Sequence, residues 1–279
     1  METDVNIEKP IKIRNGYEML RELCSFSCDF NSFSKNLNPI TNRVQYIMHQ
    51  LETNNIKFVA DMYQPIIGTP DSVEGLPAEV NIVVQIEGID KSITTVFSAH
   101  HDVNNMNSEN CVDNTASVAN LLDLCIQLSK EQPANNVVIC FNDSEESVKP
   151  MACGIKRFSQ NILKGIYGQV KYCVVLELTA SGQNYWMSYY KENAISQRIR
   201  EIHPNISRVR TPYSDNFVME KDIINSVCIG SLNDVNLTQV RTRGFCYTWS
   251  LCHSIKDLFE SQANEVDMNL FVTFLETLI

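Results

Sequence analysis

Residues 137–146 read VVICFNDSEE, a short apolar run that passes directly into a group of acidic side chains. An apolar run of this length, bounded by polar residues, is typical of a strand buried on both faces in the middle of a sheet. Glu145 and Glu146 then lie just beyond the carboxyl end of that strand. Binding sites of α/β sheets gather at this edge, so the stretch predicts both a fold class and the position of a site.

Strands and helices alternate on both sides of this stretch, which predicts an α/β sandwich with a mixed, mostly parallel sheet. We expect further strands at 56–62, 79–86, 92–98, 172–178, 185–189 and 226–230. We expect helices at 44–51, 114–130, 158–163, 194–202 and from 265 onward, a loop at 65–77 and frayed residues at the N-terminus. Residues 87–91 join two of the strands and predict a β-hairpin. Since no repeat, low-complexity tract or linker interrupts the pattern, we expect one domain over residues 1–279.

The composition excludes several classes of protein. Hydrophobic residues make up 44% of the chain, so it can form a sizeable core, and the net charge of −10 opposes binding to nucleic acid. The arginines at 208–210 and 241–243 form no long basic tract. The ten cysteines lie singly, without disulfide or CxxC spacing, as expected of buried thiols in a reducing compartment. Without an apolar span or a secretory signal, we expect a cytoplasmic protein that does not bind membranes.

Acidic residues and histidines recur at the ends of the expected strands. They are His100-His101-Asp102, Asp113-Asn114, Glu145-Glu146, Glu177 and His253. Taken alone, most have an ordinary structural explanation: Asp113 suits a helix N-cap, for example, and Glu145-Glu146 suits a solvated loop. Glu177 is different because it ends the apolar run CVVLEL, where an unpaired carboxylate is costly unless a cation meets it.

The order and spacing of these residues resemble the M28 family of zinc exopeptidases over about residues 98–257. The phrases that carry the resemblance are HHD at 100–102, DNTA at 113–116, FNDSEE at 141–146, VVLE at 174–177, SDNF at 214–217 and HSIKD at 253–257. The resemblance implies a three-layer αβα sandwich. The chain departs from the family in having NCV at 110–112, glutamate at 177 and asparagine at 216, which puts the shape of the substrate pocket in doubt.

The resemblance also implies a ligand set for two Zn²⁺ ions that share Asp113. His100 and Glu177 complete one ion's ligands, while Glu146 and His253 complete the other's. Imidazole nitrogen and carboxylate oxygen are suitable zinc ligands, although Mn²⁺ or Co²⁺ would accept similar ones.

Two further carboxylates receive catalytic roles by the same resemblance. Glu145 is the general base that activates a water between the metals. Asp102 accepts the second ring N–H of His100 and fixes its tautomer. His100 is favoured over His101 as the ligand because residues 100 and 102 share a face of an extended strand, so that His101 packs on the other side. Tyr213 either donates a hydrogen bond to an oxyanion that develops during the reaction or is an ordinary turn residue.

The activity implied is that of a metal-dependent exopeptidase, and we favour an aminopeptidase acting on peptides or amino-acid amides. A carboxypeptidase, a small-amide hydrolase and an enzyme like the glutaminyl cyclases remain alternatives on the same fold. A catalytically inactive interaction module is a third possibility, but such a module should have lost Glu145 or a ligand, and none is lost. Side-chain specificity and oligomeric state stay open.

Overall fold

The structure is a computed structural model that describes residues 14–26, 40–63, 79–103, 108–146, 153–211, 214–222 and 225–279. The expected loop at 65–77 and most of the expected N-terminal fraying lie outside the described residues. The strands are β1 (Phe58–Tyr63), β2 (Glu79–Ile86), β3 (Asp90–His100), β4 (Asn135–Asn142), β5 (Val170–Leu176), β6 (Asn184–Ser188), β7 (Ser207–Arg208) and β8 (Ser226–Leu232).

Ten α-helices accompany these strands in the described ranges. They are α1 (Gly16–Ser25), α2 (Asn42–Thr53), α3 (Ala116–Lys130), α4 (Cys153–Leu163), α5 (Ala194–Ile202), α6 (Asp215–Asp222), α7 (Asp234–Arg243), α8 (Tyr247–Leu251), α9 (Phe259–Gln262) and α10 (Glu265–Glu276). Several begin where a side chain caps the first turn, as Thr41 caps α2 and Asn193 caps α5. Across the described residues, no helix is long and apolar enough to cross a membrane.

The eight strands form one mixed sheet in the order β1-β2-β4-β3-β5-β8-β6-β7. Its centre, β4-β3-β5-β8, is parallel, and antiparallel pairs flank it. The predicted hairpin between β2 and β3 is wrong, because β4 lies between them. The connection crosses the start of β4, where Gly88 packs on the backbone of Asn135 too closely for any side chain. The apolar β4 is thereby buried in the interior of the sheet.

The sheet is covered by helices on both faces, because its central strands are apolar on both. On one face, Phe97, Ile139 and Val174 join a large core with residues of α1, α2, α3, α5 and α10. On the other face, Val96 and Cys173 join a smaller core with residues of α4 and α6. Neighbouring residues of one strand thus belong to different cores, because successive side chains of a strand point to opposite faces of the sheet. The predicted αβα sandwich is confirmed.

The parallel centre fixes where the site forms. β3 ends at His100, β4 at Asn142 and β5 at Leu176, and His100 pairs directly with Asn142. The chain leaves all three strands at the same edge of the sheet. The candidate residues that follow them are therefore brought together by strand register rather than by flexible loops.

One close approach at this edge is testable. Gly230 of β8 lies so near the Glu177 carbonyl and the Trp186 ring that a methyl group would overlap both. We expect Gly230→Ala to lower the free energy of unfolding by about 1–3 kcal/mol, because the backbone must move to accept it. Urea denaturation measures this. The control is Gly16→Ala in α1, where the added methyl would lie 3.5 Å from its nearest neighbour and stability should be unchanged or slightly raised. Equal effects at the two positions would contradict this packing.

Candidate metal centre

The first candidate ligand group consists of His100, Asp113 and Glu177. His100 Nε2 lies 3.4 Å from Asp113 Oδ1 and 3.8 Å from Glu177 Oε2, and all three side chains are buried. Glu177 Oε1 has no hydrogen-bond donor although it is fully buried. One carboxylate oxygen of this group thus faces the interior without the partner that buried polar atoms normally have.

The second group consists of Asp113, Glu146 and His253. His253 Nε2 lies 3.5 Å from Asp113 Oδ2 and 3.0 Å from Glu146 Oε2. The imidazole of His253 is about half exposed, so the centre opens to solvent on this side. Asp113 therefore presents Oδ1 to the first group and Oδ2 to the second, which is the arrangement of a carboxylate shared between two cations.

Asp102 holds together the two strand ends on which these groups stand. His100 Nδ1 lies 3.2 Å from the Asp102 carbonyl oxygen and 3.4 Å from its carboxylate. The same carboxylate accepts the backbone N–H of Glu145 at 3.2 Å and of Glu146 at 2.9 Å. The contact with the His100 ring lies where sequence reasoning expected it. The two backbone bonds, which position the glutamate loop, were not foreseen.

Asp257 gives similar support to the turn that carries Asp113. It belongs to the HSIKD phrase, whose pattern assigns it no role. Its carboxylate accepts the backbone N–H groups of Val112 at 2.8 Å and Asp113 at 3.2 Å. The HSIKD phrase thus supplies two groups to the surroundings of Asp113: the candidate ligand His253, and the Asp257 carboxylate, which accepts hydrogen bonds from the backbone.

Arg43 is a buried cation behind the centre that sequence reasoning missed. From α2 it donates to the His101 carbonyl, the Leu23 carbonyl and Thr115 Oγ1 at 2.9–3.1 Å. Burial lowers its pKa to about 10. His101 itself packs away from the centre, with Nε2 2.9 Å from the Val80 carbonyl oxygen, as strand alternation predicts.

Two more carboxyl groups lie beside the two ligand groups. Glu145 offers an oxygen within 4.8 Å of ligand atoms of His100 and Glu146. Asp215, at the start of α6, is fully buried and accepts a hydrogen bond from Asn142 Nδ2 at 2.5 Å. Burial raises the pKa of Glu145 well above its usual range and that of Asp215 to about 7. The sequence contains Asp215 in its SDNF phrase, but nothing there indicated its burial.

Burial and neighbouring charges both shift the pKa values of the candidate ligands. Burial raises the pKa of Glu146 and of Glu177, and the negative charge of Asp113 adds to both effects. Asp113 has a lowered pKa because hydrogen bonding and charge from His100, together with the charge of His253, outweigh its burial. Hydrogen bonds with Asp102 and Asp113 raise the pKa of His100 against the opposing effect of burial.

Backbone strain also concentrates here. Among the described residues other than glycine, five have φ in the left-handed region, and four of them lie at or within three residues of a candidate ligand. They are Asn110, Ser144, Leu178 and His253, with φ of 48°, 68°, 58° and 63°. Such conformations cost about 1–3 kcal/mol each and persist where the surroundings enforce them, typically at functional sites.

The donor set fits divalent zinc. Each group offers one imidazole nitrogen and two carboxylate oxygens, and within each the ligand atoms lie within 4.8 Å of one another. The buried oxygen of Glu177 that lacks a donor is a position where a cation would replace a missing hydrogen bond. Three ligands per ion leave room for a further small ligand, which is the pattern of catalytic rather than structural zinc sites.

Asn216 and Cys111, two of the residues that depart from the family pattern, have defined partners in the structure, as does Cys252 beside the centre. Asn216 donates to Glu220 Oε1 and the Ser188 carbonyl, so it turns away from the centre. The thiol of Cys252 lies beside Asp113, and burial raises its pKa. Cys111 is buried behind the Asp113 turn, where its thiol contacts that of Cys24. Tyr213 lies outside the described residues, and the nine described cysteines form no disulfide with one another.

Comparison with known proteins identifies the family of the chain. The model of peptidase family M28 matches residues 81–227, more than half of the sequence, and the chain belongs to this family. No curated protein sequence matches the chain.

Solved structures share the fold at low sequence identity. A glutaminyl cyclase from an Acidobacteriales bacterium is 14% identical, with a TM-score of 0.73 over 100% of this chain and 98% of its own. A leucine aminopeptidase precursor from Bacteroides thetaiotaomicron is 15% identical, with a TM-score of 0.68 over 95% of both chains. A Zn-dependent exopeptidase from Parabacteroides distasonis is 14% identical, with a TM-score of 0.67 over 94% of this chain and 95% of its own.

The buried carboxyl groups predict how metal-free protein responds to pH. Because burial raises the pKa of Asp215 and of Asp257 to about 7, the folded protein retains protons that the unfolded chain has already released. Such groups favour folding at low pH and lose that contribution as they ionise. We expect the thermal midpoint of chelator-treated protein to fall from about pH 5 to about pH 8. Asp215→Asn should make the thermal midpoint less dependent on pH, and added zinc should reduce this dependence further. A midpoint that rises from about pH 5 to about pH 8 would contradict the expectation.

Proposed function

We propose that the protein is a metal-dependent aminopeptidase that holds two zinc ions. The observation that carries the proposal is the position of Asp113, whose two oxygens face His100 on one side and His253 on the other. Glu177 and Glu146 complete the two groups. Glu145 lies within ligand distance of His100 and Glu146, but it belongs to neither of the two groups that contain Asp113. Membership of peptidase family M28 supports peptide-bond hydrolysis as the reaction.

His100, Asp113 and Glu177 would hold one ion, and Asp113, Glu146 and His253 the other. Bound there, the ions would supply Lewis acidity for the scissile carbonyl group and an increased acidity for water. The protein's own residues do the rest. Asp102 keeps the His100 ring oriented and ties the Glu145-Glu146 backbone to the end of β3.

Glu145 is the residue that moves protons. A general base works best when its pKa lies near the working pH, and burial raises the pKa of this carboxyl group in that direction. In the proposed reaction Glu145 accepts a proton from the attacking water and delivers it to the nitrogen of the leaving peptide. The substrate's free α-amino group is held at the acidic, half-open side of the centre near His253.

A glutaminyl-cyclase activity is the second candidate. Glutaminyl cyclases are among the solved structures with this fold, and one of them covers the whole of this chain. Cyclisation of an N-terminal glutamine also needs a residue that transfers a proton, so Glu145 would serve either reaction. The presence of two ligand groups supports the peptidase, because a cyclase with one metal ion has no need of the group around Glu177 in addition to the group around Glu146.

The neighbouring glutamates separate catalysis from metal binding. Glu145→Gln keeps the size of the side chain and removes the proton acceptor, so turnover of an aminoacyl anilide should fall about 10²–10⁴-fold. Its zinc content should stay unchanged. Glu146→Gln is the matched control: the same chemical change, one residue away, should reduce bound zinc because a charged ligand is lost.

Both quantities are measured on the same preparations, activity by anilide release and zinc by elemental mass spectrometry. Full activity in both variants would mean that the two glutamates form a surface pair, and the proposal would be wrong. Loss of zinc in Glu145→Gln would instead make this residue a ligand and remove it from the role of base.

Peptide products distinguish the two candidate activities. We expect a peptide with a free N-terminus to lose its first residue, and its N-acetylated counterpart to be a poor substrate, because acetylation removes the amine. A peptide that begins with glutamine should likewise release glutamine. Mass spectrometry detects each product. Loss of ammonia without cleavage would identify a cyclase, and equal cleavage of blocked and free peptides would point to a carboxypeptidase or amide hydrolase.

A further inference from the structure

A groove lies beside α6, lined by Asn216 and Phe217 of that helix's first turn, which directly follow the buried Asp215. Two adjoining cavities of about 710 and 520 Å³ form it, and they share Tyr190, Phe217 and Glu220. The remaining walls come from the end of β6 and from the extended segment 208–211. We call this feature the arginine groove, after Arg208 and Arg210 in its wall.

The arginines face the groove because of strand geometry. Val209 continues the pairing with β6 by donating its N–H to the Met187 carbonyl at 3.0 Å, so residues 208–210 are extended. Alternation then buries Val209 and exposes both neighbouring arginines on one side. Arg208 stacks on the Tyr189 ring, 4.4 Å from its centroid. In the described part of the chain, neither guanidinium group forms an ion pair with a carboxylate.

The groove is cationic in a protein whose net charge is −10. Lys191 and Lys221 line the second cavity, so positive side chains stand at both ends. Glu220 is the one acidic residue in the described walls. Its carboxylate already accepts the Tyr190 N–H at 2.7 Å and Asn216 Nδ2 at 3.0 Å. A ligand that complements these walls would therefore be elongated and negatively charged.

The size of the groove favours a short acidic peptide over nucleic acid. A cavity of this volume holds a few residues, and the exposed ring of Tyr190 (85%) offers them an apolar surface. A nucleic acid would need positive charge over a larger area, against the repulsion of the remaining acidic surface. Four cations confined to one groove do not provide it.

The groove lies within reach of the metal centre. Glu177 is level with Trp186 in the sheet, because the registers of β5, β8 and β6 align them. Ser188, in the wall of the groove, lies two strand spacings from Glu177 and two residues further along β6. Because β6 runs antiparallel to β8, this step leads toward the opposite edge of the sheet, and the straight-line backbone distance is about 12 Å. An extended peptide covers this distance with about four residues.

We propose that the arginine groove binds acidic side chains of the peptide substrate, near its fourth to sixth residues, while the N-terminus occupies the metal centre. This inference rests on the proposed aminopeptidase function and narrows its substrate class. The preferred substrates are peptides with acidic residues a few positions after the cleaved bond.

The experiment uses the full-length, zinc-loaded protein and three hexapeptides, LAAEEA, LAAQQA and LAAKKA. We expect kcat/KM for the glutamate peptide to exceed that for the glutamine peptide by about five- to tenfold at low salt, as two exposed ion pairs would give. The ratio should approach one at about 0.5 M NaCl, where exposed charges are screened. Moving the acidic pair to positions two and three should abolish the gain.

The variant Arg208→Gln/Arg210→Gln should lose the preference and keep its activity on the glutamine peptide. The matched control, Lys130→Gln/Arg243→Gln, removes two exposed positive charges elsewhere and should keep the preference. Equal kcat/KM for the three peptides, or a preference that survives the double variant, would overturn the inference while leaving the peptidase intact.

A binding measurement separates this inference from the proposed function. Fluorescence anisotropy of a labelled LAAEEA peptide should show weaker binding to the double variant than to the control variant. If no peptide is cleaved but this difference remains, the groove binds acidic peptides and the proposed aminopeptidase function is wrong. If a labelled oligonucleotide binds more tightly than the peptide and loses affinity in the double variant, the groove belongs to a different ligand and the inference fails.

Discussion

The structure depends on one electrostatic constraint, which is the burial of several carboxyl groups around Asp113. Glu146 and Glu177 lie within ligand distance of it, and Glu145 and Asp215 lie close by. Carboxylates in a low-dielectric interior repel one another and lose their hydration, so they are costly unless cations or protons compensate them. The two histidines supply part of that compensation, and divalent ions in the two ligand groups would supply the rest.

The fold holds these charges in place through its backbone. Three parallel strands end at one edge, and Asp102 and Asp257 accept the backbone N–H groups of the segments that carry Glu146 and Asp113. Four left-handed conformations also lie at or within three residues of the ligands, and such conformations persist only where the surrounding structure holds them. A substitution at Asp102 or Asp257 therefore acts on ligand positions without removing a ligand.

The sequence predicts the αβα sandwich because alternating apolar strands and amphipathic helices are local patterns. The proximity of His100 to Glu146 and to Glu177 follows from the rule that parallel strands end at one edge. The sequence did not predict that β4 separates β2 and β3, because strand order depends on long-range pairing and a short connection imitates a hairpin. Arg43 and Asp257 were missed for a similar reason: their hydrogen bonds join segments between 20 and 145 residues apart.

The most direct test of the account is a crystal structure of the zinc-loaded protein, with anomalous scattering measured at the zinc absorption edge. We expect two anomalous peaks per chain, one among His100, Asp113 and Glu177 and one among Asp113, Glu146 and His253. Asp113→Ala should remove or weaken both peaks, because each ion loses a shared ligand. A single peak in the wild-type protein, or peaks that do not contact Asp113, would contradict it.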